Sequence, residues 1–206
     1  MLKIKNVLLY MSLSIATPVF ATVGGPQSIE VLGYDAKDQK VYLLRHFEDE
    51  RGRLPQLYYY QFKNNKNPNK IIQVNSLYIN PKTKKIDYDQ EDTKFNQELN
   101  KIQKRLQPLR SVKVENHISY LQKNIKQVPT WYDAQQTQAQ TTYTYRVSNP
   151  SFQSNIEKAI AYNSKLKVKQ QFIIPKQDKM LITVQYRGIP FETGYDIEDP
   201  ILMLKK

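Results

Sequence analysis

Lys165, Lys167 and Lys169 alternate with Leu166 and Val168. In an extended segment this spacing sets all three ammonium groups on one face, roughly 7 Å apart. Like charges so placed repel unless water or an anion relieves them, so the pattern predicts a comb for phosphates or carboxylates, with Lys176 and Lys179 following. The same pattern suits a solvent-facing or edge strand that lysine protects from aggregation. A second candidate binding surface is Trp131 with Tyr132, next to Asp133. A glycosidase sets two carboxylates about 5 to 10 Å apart beside an aromatic platform, and Glu192, Asp196, Glu198 and Asp199 are the acids that could join Asp133. A lone Trp after Pro129 also serves as a core or docking anchor.

Other chemistry is less well supported. A basic run from Lys63 through Lys66, Lys70, Lys82, Lys84 and Lys85 contains no acid and follows Tyr58, Tyr59, Tyr60 and Phe62. Aromatic faces beside basic loops can stack bases, but alternating aromatics also fill a core, and an exported chain meets little nucleic acid. His46 precedes Glu48, Asp49 and Glu50, a mixed nitrogen and oxygen donor set. The other histidine, His117, is remote in sequence, and with no cysteine no zinc spacing exists. There is no Gly-x-Ser-x-Gly elbow, P-loop or Gly-x-Gly-x-x-Gly, and glycine occurs six times in all. No metal, cofactor or catalytic residue is therefore assigned.

The chain is basic, with a formal net charge of +12 in 206 residues. Such a charge draws a protein to anionic lipid, polymer or an acidic protein partner. Lysine supplies most of it, 24 residues against 7 arginines, whereas arginine is the better fork for bidentate phosphate recognition. Residues 1–21 combine Lys3 and Lys5, the apolar run Val7 to Ala16, and small residues before a break after Ala21. This is the pattern of a signal peptide, and the apolar run is shorter than the roughly 20 residues that span a bilayer. The expected product is 22–206, periplasmic or secreted, free of disulfides and with no transmembrane segment.

Hydrophobic period supplies the elements that must position these groups. Ser28 to Tyr34, Lys40 to Phe47 and Gln56 to Phe62 read as an antiparallel meander, with Ile71 to Ile79 as a fourth strand. In the second of these, Val41 and Leu43 fall on one face and Tyr42 and Leu44 on the other, which predicts a central strand. Phe95, Leu99, Ile102, Leu106 and Leu109 form one helical stripe, predicting an amphipathic helix over 90–107 capped by Asp89 or Asp92. Residues 111–128 carry both strand and helix periods. A polar loop is expected at 133–142, between subregions 26–110 and 111–206 of one domain. Beyond it come a strand at Tyr143 to Ser148, a short helix over 154–163 with Ser154 and Glu157 as a capping box, and a hairpin of Leu166 to Ile174 with Met180 to Arg187.

The fold class that follows is α+β, a largely antiparallel sheet packed by one helix and followed by a β-α-β-β region. The functional expectation is a non-enzymatic envelope protein that binds another protein through a sheet edge or its Tyr- and Lys-rich surface. Inhibitor, immunity, adaptor and assembly roles all fit. A polyanion or glycan binder and a cell-wall hydrolase are the alternatives, and Lys165, Lys167, Lys169, Trp131 and Tyr132 are the candidate binding residues. The acidic segment Gly194 to Pro200, followed by the apolar end Ile201 to Leu204, would either dock as a terminal strand or pair with a partner.

Overall fold

A computed structural model describes residues 24–49 and 52–206; the expected signal peptide, its cleavage point and Glu50 lie outside the described residues. The chain is mostly antiparallel β-sheet with one α-helix. The first sheet has the order β1 (Gln27–Asp35), β2 (Lys40–Phe47), β3 (Gln56–Gln61) and β4 (Ile72–Gln73). Asp35 Oδ1 accepts hydrogen bonds from the Lys37 and Asp38 amides and so fixes the first turn. β2 is central as its two apolar faces require. Val41 and Leu43 enter one core cluster with Ile29, Tyr34 and Tyr60, while Tyr42 and Leu44 enter another with Leu57 and Tyr78.

Helix α1 (Thr93–Gln103) covers the second of these faces, burying Phe95 and Leu99 with Ile102 and Leu106 packed alongside. It is shorter than its stripe suggests, and Leu109 joins the core on the opposite side of the sheet. The reason is that the chain leaves the helix to pair with β1: Tyr34 and Gln107 exchange backbone hydrogen bonds of 2.8 and 2.9 Å. Gly33, at φ 140° in a β-bulge, permits this approach, because a Cβ there would lie 2.6 Å from the Gln107 carbonyl oxygen. The fourth strand is likewise cut to two residues, and the chain then turns through a 3₁₀ segment at Ser76–Tyr78 that inserts the Tyr78 ring beneath α1.

The second sheet comprises β5 (Arg110–Ser111), β6 (His117–Pro129), β7 (Thr137–Ser148), β8 (Phe152–Ser154), β9 (Glu157–Tyr162), β10 (Lys167–Ile174), β11 (Lys179–Ile189) and β12 (Tyr195–Lys205). Its order is β5-β10-β11-β12-β8-β7-β6, with β9 also paired to β7. Met180, Ile182, Val184 and Tyr186 of β11 face a core built with Tyr143, Tyr145 and Val147 of β7 and Ala159 and Ala161 of β9. Leu181 and Leu202 point the other way, into the core shared with the first sheet.

Three expectations for this half are corrected. Residues 157–162 form a strand, so the region is not β-α-β-β: Ala159 and Ala161 are buried while Lys158 and Ile160 are exposed, a period of two, and the segment pairs with Gln140 to Tyr145 of β7. Ser154 does not cap a helix; its hydroxyl accepts the Val147 amide and donates to the Asn155 carbonyl. The polar loop is shorter than 133–142, because Thr137 to Thr142 belong to β7, where their Gln and Thr side chains alternate across a paired strand. Residues 117–129 resolve as strand, and the helix-like spacing of Ile118 and Ile125 comes from a bulge between Tyr120 and Gln122 that shifts the parity by one.

The C-terminal stretch docks as a strand of the same sheet, with Ile201, Leu202 and Met203 buried between β11 and β8. Deleting 201–206 is expected to abolish the cooperative unfolding transition followed by circular dichroism. A retained sharp transition would show that these side chains are dispensable to the core.

Candidate functional site

The acidic segment on this basic chain resolves into two joints between strands, one buried and one partly exposed. Because strand side chains alternate, Glu198 and Asp199 leave β12 on opposite faces. The fully buried Glu198 pairs with Lys169 through Oε1 and accepts a 3.0 Å hydrogen bond from Gln170 through Oε2. The Gln170 side chain also donates to the Ile29 carbonyl oxygen at 2.7 Å, which ties β10 and β12 to β1. Asp199 accepts from Arg45 of β2 at 2.8 Å and, through its other oxygen, from the Tyr186 hydroxyl. Two sheets whose paired residues stand 154 positions apart are thereby clamped.

Around Asp199 lies a cavity of about 230 Å³ lined by Arg45, Tyr58, Tyr145, Glu157 and Pro200, among others. Burial, with Asp199 adding repulsion, raises the Glu157 carboxyl above its ordinary value of 4.5. Burial likewise pushes the Tyr145 and Tyr186 phenols well up, with Asp199 again contributing, so both rings remain hydrogen-bond donors. Two carboxyls that share a cavity in different surroundings are the arrangement from which an acid and base pair can be built. Here both Asp199 oxygens are engaged by the protein, so the cluster works as a joint between sheets. Pro200, which has no amide hydrogen, stands where β12 has run past the reach of β8, and its carbonyl accepts from Tyr60 at 3.1 Å.

The lysine comb is only partly present. Lys165 and Lys167 are exposed, but Lys169 sits in a bulge and is held by Glu198. Lys176 and Lys179 lie at the far end of β10, an eight-residue strand that separates them from Lys167 by roughly 25 Å. Lys179 rests over the Phe62 ring. The aromatics before the Asn- and Lys-rich loop are packing groups: Tyr60 is buried, and Tyr58, Phe62 and Tyr59 lie against the cores. His46 meets Glu30 across β1 and β2 at 2.8 Å, and among the described residues no cluster of three or more potential metal ligands occurs.

Trp131 and Tyr132 do stand together in the turn between β6 and β7, edge to face at 5.5 Å. Glu192 and Arg187 reach the same cleft, whereas Asp133 turns its carboxylate back onto the Gln135 amide. The two-carboxylate arrangement of a glycosidase is not assembled from Asp133. Arg45 and Arg187 received no site role from the sequence and Glu157 was read as part of a helix cap, because the partners of each are remote in the chain; the visible signal for the first two was a rare arginine inside an alternating strand.

Among the described residues, the longest strand with an unpaired outer edge is β6. It is the terminal strand of its sheet, thirteen residues long and exposed along most of its length, with Leu121 and the 58% exposed Ile125 on its surface. Lys123 and Lys126 are its charges, and no acidic residue occurs within it or within β7. No helix among the described residues is long and apolar enough to cross a membrane. The chain matches no family model, no curated protein and no solved structure.

Two outcomes follow from these joints. Lys165→Glu with Lys167→Glu should move stability by no more than about 0.5 kcal/mol, whereas Lys169→Glu should cost about 1–3 kcal/mol by taking the cation from the buried Glu198 carboxylate; urea melts of the two variants make the comparison. For Glu157, the folded state holds the proton more tightly than the unfolded chain. Its contribution is complete below the ordinary carboxylate value and is lost as pH rises through the raised one. Glu157→Gln should therefore melt higher than the parent at neutral pH, with the difference closing below about pH 4.

Proposed function

We propose that this chain is an exported, non-catalytic protein that binds an extended acidic segment of another protein by strand addition to β6. The observation that carries this reading is a thirteen-residue terminal strand whose outer edge pairs with no other strand among the described residues. An open edge offers a row of amide and carbonyl groups that an added strand satisfies, and alternate side chains then select the partner. The charge of the hairpin gives the selection its sign. Lys123, Lys126 and Arg146 lie on β6 and β7, and Asp133 in the connecting turn is the single acid between His117 and Ser148. Lysines on an edge also discourage pairing between identical copies, since the same charges would then meet. Export is supported by the order of basic end, apolar run and small residues within 1–21.

The test is capture from an envelope extract by residues 22–206, followed by hydrogen exchange of the complex. Slowed exchange concentrated in 117–129, and loss of capture in Lys123→Glu/Lys126→Glu, is the expected result. Protection confined to other strands would overturn the reading, as would capture unchanged in the double variant. Concentration-dependent dimerisation through 117–129 would instead assign this edge to a second copy of the chain.

A further inference from the structure

We infer that the cleft framed by Trp131, Tyr132 and Arg187 binds a single sugar ring that carries a carboxylate. The inference does not use the outer edge of β6: it rests on the turn at the end of the hairpin, the start of β7, the ends of β9 and β11, and the connection into β12. Four separated segments converge there: the β6–β7 turn, the residues after β9, the end of β11, and the turn that leads into β12. The cleft is half open and offers about 260 Å³, just below the roughly 300 to 1,000 Å³ of pockets for drug-sized ligands, which suits one ring.

Arg187 supplies the anion specificity. Its Nε is sealed from solvent and makes no hydrogen bond, and the guanidinium enters none of the ion pairs among the described residues. The Nε of Arg53 and of Arg146 is sealed in the same way, so what marks Arg187 is that it lines the cleft with no carboxylate partner, and a planar fork is the complement of a carboxylate. The side chain is seated deliberately. Gly194, at φ 81°, leaves bare backbone beneath it, and a Cβ at that position would come within 2.4 Å of the arginine Cδ. Asn163 and Glu192, two further lining residues, also hold left-handed backbone at φ 51° and 53°, a conformation that costs energy outside glycine and gathers at ligand sites.

The aromatic pair supplies the ring contact. Trp131 is pinned edge-on against Tyr132 and against Phe191, yet 44% of it is exposed, and Tyr132 is 61% exposed. Rigid rings left half open offer an apolar face to the C–H side of a sugar. Glu192, with one oxygen accepting from the Tyr195 hydroxyl, and Asn163 give acceptors and a donor for ring hydroxyls. No lysine lines the cleft, so a doubly charged phosphate would find one cation and an opposing carboxylate.

The chain contains one tryptophan, so its fluorescence reports this cleft directly. Residues 22–206 would be titrated with glucuronate, galacturonate, N-acetylmuramate and N-acetylneuraminate, with glucose and acetate as controls. The expected result is a saturable change with at least one acidic sugar, about tenfold or more weaker with glucose and absent with acetate. Arg187→Gln should weaken the acidic sugar about tenfold or more while leaving the response to glucose unchanged. Tyr132→Ala, at an exposed position, should weaken both sugars and keep the parent melting temperature, which guards against misreading a folding defect. Failure of all four acidic sugars, equal binding of glucose, a matching response to acetate, or full affinity in a folded Arg187→Gln variant would each overturn the assignment.

Discussion

Strands β11 and β12 are covered on both faces, and the remaining elements are arranged to supply that cover. On one side β7 and β9 bring tyrosines and alanines against Met180, Ile182, Ile201 and Met203; on the other the first sheet brings Val41, Leu43 and Tyr60 against Leu181 and Leu202. A strand buried on both sides accepts apolar residues in succession, which is why Met180 to Val184 are all buried. The first sheet is in turn buried on both faces by β10 to β12 and by α1. The layers stack as helix, sheet, sheet and folded-over sheet, with β2 and β11 at their centres.

A strongly basic chain that folds this way must still satisfy the few acids caught inside. Glu198 is fully buried, and its desolvation is offset by Lys169 and by the Gln170 amide. A buried pair of this kind contributes little over an apolar replacement but is expensive to break from one side. It therefore fixes register more than it adds stability. Arg45 with Asp199 is a partly exposed pair that ties β2 to β12. The open edge at Pro200 and the bulges beside Lys169 and Arg187 lie near these joints, where regular pairing has been given up for side-chain contacts.

The molecule treats its edges unequally. β10 is closed by short β5, and β1 by the chain returning through Gln107. β6 is left long and open, with Lys123, Lys126, Pro129 and the bulge at Tyr120 to guard it. Lysine and proline are common guards against edge association, and on a binding strand the same lysines choose partners by charge. The Trp131 and Tyr132 turn at the end of the hairpin adds a separate surface, packed through Trp131 against Phe191 of the connection between β11 and β12.

Local period in the sequence determined β1 to β3, the buried face of α1, the β10–β11 hairpin and the adjacency of Trp131 and Tyr132, because each depends on residues within a few positions of one another. It misread 154–163, where two exposed isoleucines at helical spacing outweighed the small buried alanines whose size makes sense only against β11. It misread 133–142, since a polar strand whose partners lie before and after it has no hydrophobic signature. In 111–128 a bulge counterfeited a helix. The lysine comb assumed one regular strand and was blind both to the bulge at Lys169 and to Glu198, 29 residues on. Only the tertiary structure decided that Arg45 meets Asp199, that Arg187 lies over Gly194 beside the aromatic turn, and that β6 ends the sheet. The physical reason is that charge pairing and edge exposure are set by which strands become neighbours, and that choice is made by the summed burial of both faces of β11 and β12, to which no single segment holds the key.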